Sequence, residues 1–437
     1  MRSQLTWTLI TELVVMAAGI LVLKLAAQFL GAVGFGEYTL TRRAIALLYL
    51  PLVLGLGIAA PRYIAIATAG ALPGYSPRSF AIATLTAGLL PALIVIVLMN
   101  LSPGGASAIL FGSSSMSFLV RPATIALAGL TMHSMTYAVF RGRGDMNLAN
   151  LLQLVNNGIV PVTAFMFVPH YAPTVLTATG VTWMLTSVAA LVGVMTRDRT
   201  KEIAERPLGE HPLGEHLRVL LRFGVPRVPG EFALVGLFAL PALIALRTQG
   251  VVAAGQFSAG MSLLSLVAGV FGPVGLVMLP RASAQAASGD LHGLRRIVLK
   301  LLGAGIVLAI AAVATGEILI PPFVRWYFGK DFIPAIPVFR ICLLGAIPYV
   351  IYVLLRNILD ALDVRAVNSR NLLITLALLL VLCALRTDIM SMASSLLIAL
   401  TLLGVLSLWE TQARLGRRAL AARVADAPGI PLTVPAP

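Results

Sequence analysis

The chain has 437 residues, of which 59% are hydrophobic and only 11% charged, with a formal net charge of +15. A soluble domain carries about 25% charged residues, so these proportions exclude a water-soluble globular protein, and the mean hydropathy of +0.94 agrees. The basic residues sit at the ends of apolar runs, and no zinc spacing or phosphate-binding loop is present, so the charge reports membrane topology and excludes nucleic acid as a partner.

Apolar runs of about 20 residues, enough to cross a bilayer as a helix, recur along the chain. They predict twelve spans, at about 5–30, 38–62, 80–101, 122–140, 147–169, 175–196, 218–247, 252–280, 297–321, 335–355, 371–386 and 389–409. The fold class expected is all-α, a polytopic membrane protein with two pseudo-symmetric six-helix lobes. The first span has Arg2 ahead of it, Glu12 inside it and no cleavage site before the second, and reads as a retained helix. After the sixth span comes RDRTKEIAERPLGEHPLGEH, from Arg197 to His216, whose mixed charges, prolines and glycines suit a solvated linker. The division expected is an N-terminal lobe over 1–196, a linker over 197–217, a C-terminal lobe over 218–409, and a tail over 410–437 whose proline-rich end is disordered. Lys and Arg crowd one side of this map, with Arg197, Arg199, Lys201, Arg206, Arg295, Arg296, Arg414, Arg417 and Arg418 among them. The opposite side holds only Arg121, Arg247, Arg325, Lys330, Arg340 and Arg386. The positive-inside rule then places both termini in the cytoplasm. Cys342 and Cys383 lie inside apolar runs, which argues against a disulfide framework.

A phrase occurs twice. APRYIAIATAG begins at residue 60 and LPRASAQAASG at 279, matching at Pro61/Pro280, Arg62/Arg281 and Gly70/Gly289, a constant offset of 219 residues. The same offset pairs Gly31 with Gly250, Gly36 with Gly255, Tyr38 with Phe257 and Glu12 with Glu231. The halves are thus a duplication, and six passes each make it a parallel repeat about an axis along the membrane normal.

Charges inside spans are costly, about 2.5–3.5 kcal/mol each on insertion scales, and mark partners or water-filled cavities. Lys24, Arg42 and Arg43 fall on the first hairpin and Arg227 on the seventh span. They are expected to line a cationic cavity between the lobes; the competing account has Lys24 and one arginine snorkelling to the headgroups. The counterparts of Lys24, Arg42 and Arg43 at the 219 offset are Leu243, Met261 and Ser262, so this cluster is not inherited by both halves. Glu12, Arg62, Glu231 and Arg281 are present in both halves and are candidates for gating or ion pairing. Pro226 and Pro229 flank Arg227 and should kink or break the seventh helix; Arg227 and Glu231, four apart, are placed to pair along it. Gln153, Asn156 and Asn157 on the fifth span are candidates for sugar contact or for bonding to neighbouring helices. His133 on the fourth is expected to be packed or cavity-facing and not a proton relay.

Three stretches carry a family likeness: GAVGFGEYTLTRRAIALLYLPLVLGLGIAAPRYIA, GQFSAGMSLLSLVAGVFGPVGLVMLPRASAQAASGDL and YFGKDFIPAIPVFRICLLGAIPYVIYVLLRNILDALDV. The first has the turn G-x-x-x-x-G-x-Y from Gly31 to Tyr38 and the helix end G-x-x-x-A-x-x-R from Gly55 to Arg62. The chain resembles, to about residue 410, the O-antigen and exopolysaccharide repeat-unit flippases, in the superfamily that also holds the MATE drug exporters and the lipid II flippase. The resemblance implies two six-helix lobes around a central cavity, alternating access, a substrate built on a polyprenyl diphosphate, and cationic cavity residues, here Lys24, Arg42, Arg43 and Arg227. Several relatives have more helices, and the acidic cavity residues of cation-coupled exporters are sparse here.

The function expected is a flippase that moves a polyprenyl-diphosphate-linked oligosaccharide to the outer leaflet of a bacterial inner membrane. A MATE-type exporter of cations and a lipid II flippase are the alternatives. The lipid-linked oligosaccharide and membrane lipid are the expected partners, with other polysaccharide-assembly proteins as candidates, and no cofactor or metal is expected. A membrane polymerase or ligase is disfavoured, because the longest outer loop, about 102–121, has no His, Asp or Glu.

Overall fold

The computed structural model describes residues 2–68, 70, 72–202, 211–287, 291–362 and 367–425. The described residues form helices joined by short connections. In chain order these are α1 (Arg2–Val53), α2 (Leu56–Thr68), α3 (Pro77–Leu101), α4 (Pro103–Phe111), α5 (Val120–Gly142), α6 (Met146–Gln153), α7 (Val160–Phe167) and α8 (Ala172–Glu202). They continue with α9 (Leu213–Gly224), α10 (Val228–Ala287), α11 (Leu291–Tyr327), α12 (Ile336–Leu344), α13 (Ala346–Leu362), α14 (Val367–Leu385) and α15 (Ile389–Ala425). Ten segments of the described residues are long and apolar enough to cross a bilayer. Large apolar side chains such as Leu98, Phe167, Val307, Ile318 and Val405 stand exposed on their outer faces. A soluble monomer rarely exposes so much apolar surface; in lipid it is the solvent-facing side.

Two of the ten segments, Ile10–Val53 and Leu213–Leu264, have 44 and 52 residues, about twice what one pass needs. Each is interrupted by a glycine: Gly31 at φ 65°, ψ −175° and Gly250 at φ 86°, ψ 178°. A side chain rarely tolerates that conformation, and glycine adopts it at little cost. Each long segment therefore makes two passes, which gives twelve in all, six before residue 203 and six after 210. The two reversals sit at the 219-residue offset, so the repeat is present in the backbone as well as in the sequence. α1 and α10 form the most extensive helix–helix contact among the described residues. Where they cross, a Cβ built on Gly255 would lie 2.9 Å from the Gly36 Cα, so this pair too spans the repeat.

Several elements differ from the sequence reading. The second pass breaks at Leu54 (φ 49°) and Gly55 (φ 72°) before resuming as α2. The fifth pass contains a π turn, Leu154–Ile159, between α6 and α7. The seventh does not break at its prolines; it tightens into a 3-10 turn at Val225–Arg227, with Gly224, Val225 and Val228 all keeping helical dihedrals. α8 extends to Glu202 and α9 starts at Leu213, so helix occupies both ends of the segment read as linker; residues 203–210 lie outside the described residues. α15 runs through to Ala425, and the tail end read as disordered lies outside them too. Both cysteines are free and buried.

Candidate functional site

A cavity of about 540 Å³ lies between α1 and α10. Both arms of α1 line it, Met16, Gly19, Ile20 and Leu23 before the Gly31 turn and Thr39, Arg42, Arg43 and Ala46 after it. α10 contributes Leu234, Val235, Phe238 and Ala239 before Gly250, then Ser258 and Ser262, and α13 adds Tyr349. The lining is largely made of repeat mates: Met16/Val235, Gly19/Phe238, Ile20/Ala239, Thr39/Ser258 and Arg43/Ser262 all keep the 219 offset. The cavity therefore lies on the pseudo-symmetry axis.

Its charge does not follow the symmetry. Arg42 and Arg43 are its only ionic groups among the described lining residues, with no Asp or Glu. Arg43 donates from Nη1 to the Phe238 carbonyl and from Nη2 to the Ser258 carbonyl at 3.3 Å. These acceptors lie on opposite arms of α10, so one guanidinium ties the first half to both. Carbonyl oxygens orient a guanidinium without cancelling its charge. Arg42 is exposed and leans on Tyr38, its Cζ 5.5 Å from the ring centroid and its Nη1 3.5 Å from the phenol oxygen. Both arginines follow the Gly31 turn by eleven or twelve residues, about 17 Å of helix, near mid-bilayer depth in a core about 30 Å thick. The arrangement suits a multi-oxygen anion, because guanidinium N–H groups make charge-assisted bonds about twice as strong as neutral ones.

The other sequence candidates are elsewhere. Lys24 is not in the lining; one step round the helix from Leu23 turns it to α11, where its Nζ sits 3.7 Å from the Trp326 ring centroid. Arg227 is exposed below the cavity, over the Phe223 ring at 3.8 Å. Its expected pairing with Glu231 is corrected: Glu231 bonds Arg356 of α13 at 3.3 Å, and Arg227 turns back onto the Phe223 carbonyl at 2.6 Å. Glu12 faces Arg141 of α5 electrostatically, so each repeated glutamate meets an arginine on the fourth pass of its own half. Arg62 also lies over Phe223, at 4.9 Å; the side chain of Arg281 lies outside the described residues.

Gln153, Asn156 and Asn157 do not line the cavity either. Asn156, fully buried, donates to His133 Nδ1 at 3.0 Å and Ser187 Oγ at 3.1 Å, and accepts from Thr186 Oγ1 at 2.6 Å. Trp183 Nε1 donates to the Asn156 carbonyl. Gln153 Oε1 meets His133 Nε2 at 3.2 Å and accepts from Asn157 at 2.9 Å. This network joins α5, the π turn and α8, where the π turn frees polar groups that the side chains then satisfy. Sequence reasoning missed Phe238, Ser258 and Tyr349 as parts of the cavity. Repeat mating was the available signal for Ser258, the mate of Thr39.

Residues 2–285 match the family described as "Polysaccharide biosynthesis protein". A comparison with curated proteins finds no match. Among solved structures, the chain is similar to an inward-facing multidrug resistance MATE family transporter of the MOP superfamily, at TM-score 0.69 and 14% identity, covering 94% of this chain and 99% of that one. It is similar to an outward-facing form at TM-score 0.65 and 12% identity, covering 95% and 96%. It is also similar to a MOP superfamily transporter from Pyrococcus furiosus at TM-score 0.65 and 13% identity, covering 95% and 96%; the reverse polarity of that protein's binding pocket is said to suggest a different function. At these identities the likeness establishes the fold.

Proposed function

This chain belongs to the polysaccharide biosynthesis protein family, and from that premise we propose that it flips a polyprenyl-diphosphate-linked oligosaccharide across the bacterial inner membrane by alternating access. Family and fold are those of multi-pass membrane transporters. The observation that carries the substrate class is the polarity of the cavity between the halves: two arginines and, among the described lining residues, no carboxylate. A cation exporter needs the reverse, since a cation entering from water loses hydration that only acids or carbonyl-rich walls replace. The Pyrococcus protein offers a parallel, in that pocket polarity within one fold is taken to separate functions.

In the reading proposed, the diphosphate leaves cytoplasmic water and bonds the N–H groups of Arg42 and Arg43, while the polyprenyl tail stays in lipid. In this reading the first sugar meets the Ser262 and Tyr349 hydroxyls of the cavity wall. Rocking of the halves about the α1–α10 seam then opens the cavity to the other side, and the termini lie in the cytoplasm. The test is a flipping measurement in liposomes with a fluorescent polyprenyl-diphosphate oligosaccharide, beside uptake of a cationic dye. Flipping of the lipid that disappears in Arg42→Gln/Arg43→Gln supports the reading; dye transport with no lipid flipping rejects it.

A further inference from the structure

We infer that the protein carries a second anion site at the mouth on the side of its termini, built by Arg62 and Arg227 on the two faces of the inner seam and taking a phosphate-bearing group. The inference rests on the proposed transport reading for the identity of the cargo. Arg62 comes from α2 in the first half and Arg227 from the turn between α9 and α10 in the second. Both are exposed, and both hold their guanidinium over one ring, that of Phe223, with Cζ at 4.9 and 3.8 Å from its centroid.

Three features point to a ligand rather than to a simple surface charge. Neither arginine has a carboxylate within ion-pair distance among the described residues, although acids are close by. Glu231, one turn beyond Arg227, is taken by Arg356, and Glu12 faces Arg141. A guanidinium held over a ring also keeps N–H donors available: of five donors, Arg227 spends one on the Phe223 carbonyl. The ring thereby pre-orients two planar forks that suit phosphate oxygens. Finally, the seam is fixed beneath them, because a Cβ on Gly224 would lie 3.1 Å from the carbonyl carbon of Gly55. Two like charges held at one such seam repel, and a bridging phosphate removes the repulsion.

The placement gives the site a role. Arg227 precedes Leu234 on the cavity wall by seven residues, about 10 Å of helix. A diphosphate entering from this side meets Arg62 and Arg227 first and Arg42 and Arg43 next, so its charge is never without a cation on the way in.

The test uses the full chain in zwitterionic nanodiscs and inorganic pyrophosphate as the probe, with binding followed by calorimetry. Arg42→Gln/Arg43→Gln removes the cavity cations, and the binding left is assigned to the mouth. Adding Arg62→Gln/Arg227→Gln is expected to weaken that remaining binding at least tenfold; equal binding with and without those two changes overturns the inference. If the glutamine pair does not fold, Arg62→Lys/Arg227→Lys replaces it, keeping the charges but losing the forks. Weakening of threefold or more then supports the site, and unchanged affinity overturns it. Repeating the measurement in nanodiscs containing phosphatidylglycerol separates the sources. Competition only while Arg62 and Arg227 are present assigns a lipid headgroup, and no competition assigns the diphosphate cargo. Failure of the transport reading shows differently, as unimpaired flipping by Arg42→Gln/Arg43→Gln, and leaves this binding comparison intact.

Discussion

Arg43 and Ser262 occupy the same register in the two halves and line the same cavity, so a duplicated scaffold carries this cation on one side only. If an anion binds there, a carboxylate at the mate position should cancel the cation within the wall. Ser262→Asp is expected to reduce lipid flipping to about a tenth or less, while Ser262→Asn, similar in size and uncharged, keeps most of it. Bonds to charged groups are worth about 1.5–3 kcal/mol, which spans roughly tenfold to a hundredfold in rate or affinity. Equal activity of the two variants would show that the charge of the wall is irrelevant.

Arg43 also ties the halves together through the Phe238 and Ser258 carbonyls, whereas Arg42 leans only on Tyr38. The two arginines should therefore separate in a paired measurement. Arg43→Ala is expected to lower both the melting temperature in detergent and the flipping rate. Arg42→Ala should lower flipping alone, with abundance and melting unchanged. A melting temperature as low for Arg42→Ala as for Arg43→Ala would contradict the assignment of the interlobe tie.

Gly36 and Gly255 leave no room for a side chain at the α1–α10 seam. Gly255→Ala should cost about 1–3 kcal/mol, as overpacking of a close contact does, and slow transport by forcing the halves apart where they must rock. The check is thermal unfolding beside flipping for Gly255→Ala and Gly260→Ala. At the latter position a Cβ would sit 3.3 Å from Val338 Cγ1, a contact a side chain can ease. Indistinguishable melting of the two would remove the seam's special status.

The repeat was legible because glycine and charge have few substitutes. Gly31/Gly250 and Gly36/Gly255 mark a reversal and a close approach that other residues cannot supply, so they keep their register while the apolar positions drift. Arg42 and Arg43 stood out because an arginine in an apolar run is expensive. What the sequence could not show was rotation about a helix axis. Lys24 and Leu23 are neighbours in the chain, yet one faces α11 and the other the cavity, and hydropathy does not distinguish lipid from a neighbouring apolar helix. The same limit hid the pairing of Glu231 with Arg356, where spacing along one helix suggested Arg227. It also left the amides of the fifth pass open between sugar and neighbouring helices, since a π turn has no strong sequence signature.

Asn156 is the residue on which that network turns, with its side chain engaged by His133, Thr186 and Ser187. Asn156→Leu should leave those partners unsatisfied and cost about 1–3 kcal/mol. Protein abundance in the membrane is expected to fall, while flipping per folded molecule and the preference among lipid-linked saccharides stay as in the parent. A changed saccharide preference at normal abundance would instead make Asn156 a sugar contact.

Lys24 supplies the sharpest contrast with the cavity arginines. Its ammonium lies over Trp326, which is 66% exposed, on the seam between α1 and α11 and not in the cavity lining. An exposed cation–π contact is worth about 0.5–1 kcal/mol, so Lys24→Met should lower stability slightly and leave flipping per molecule within about twofold. Trp326→Leu should have the same small effect, and the double variant should lose less than the sum of the single losses, because the second change removes a contact already gone. Lys24→Met that abolishes flipping at normal abundance, with Trp326→Leu fully active, would mean that the ammonium leaves the ring during transport and serves the cargo directly.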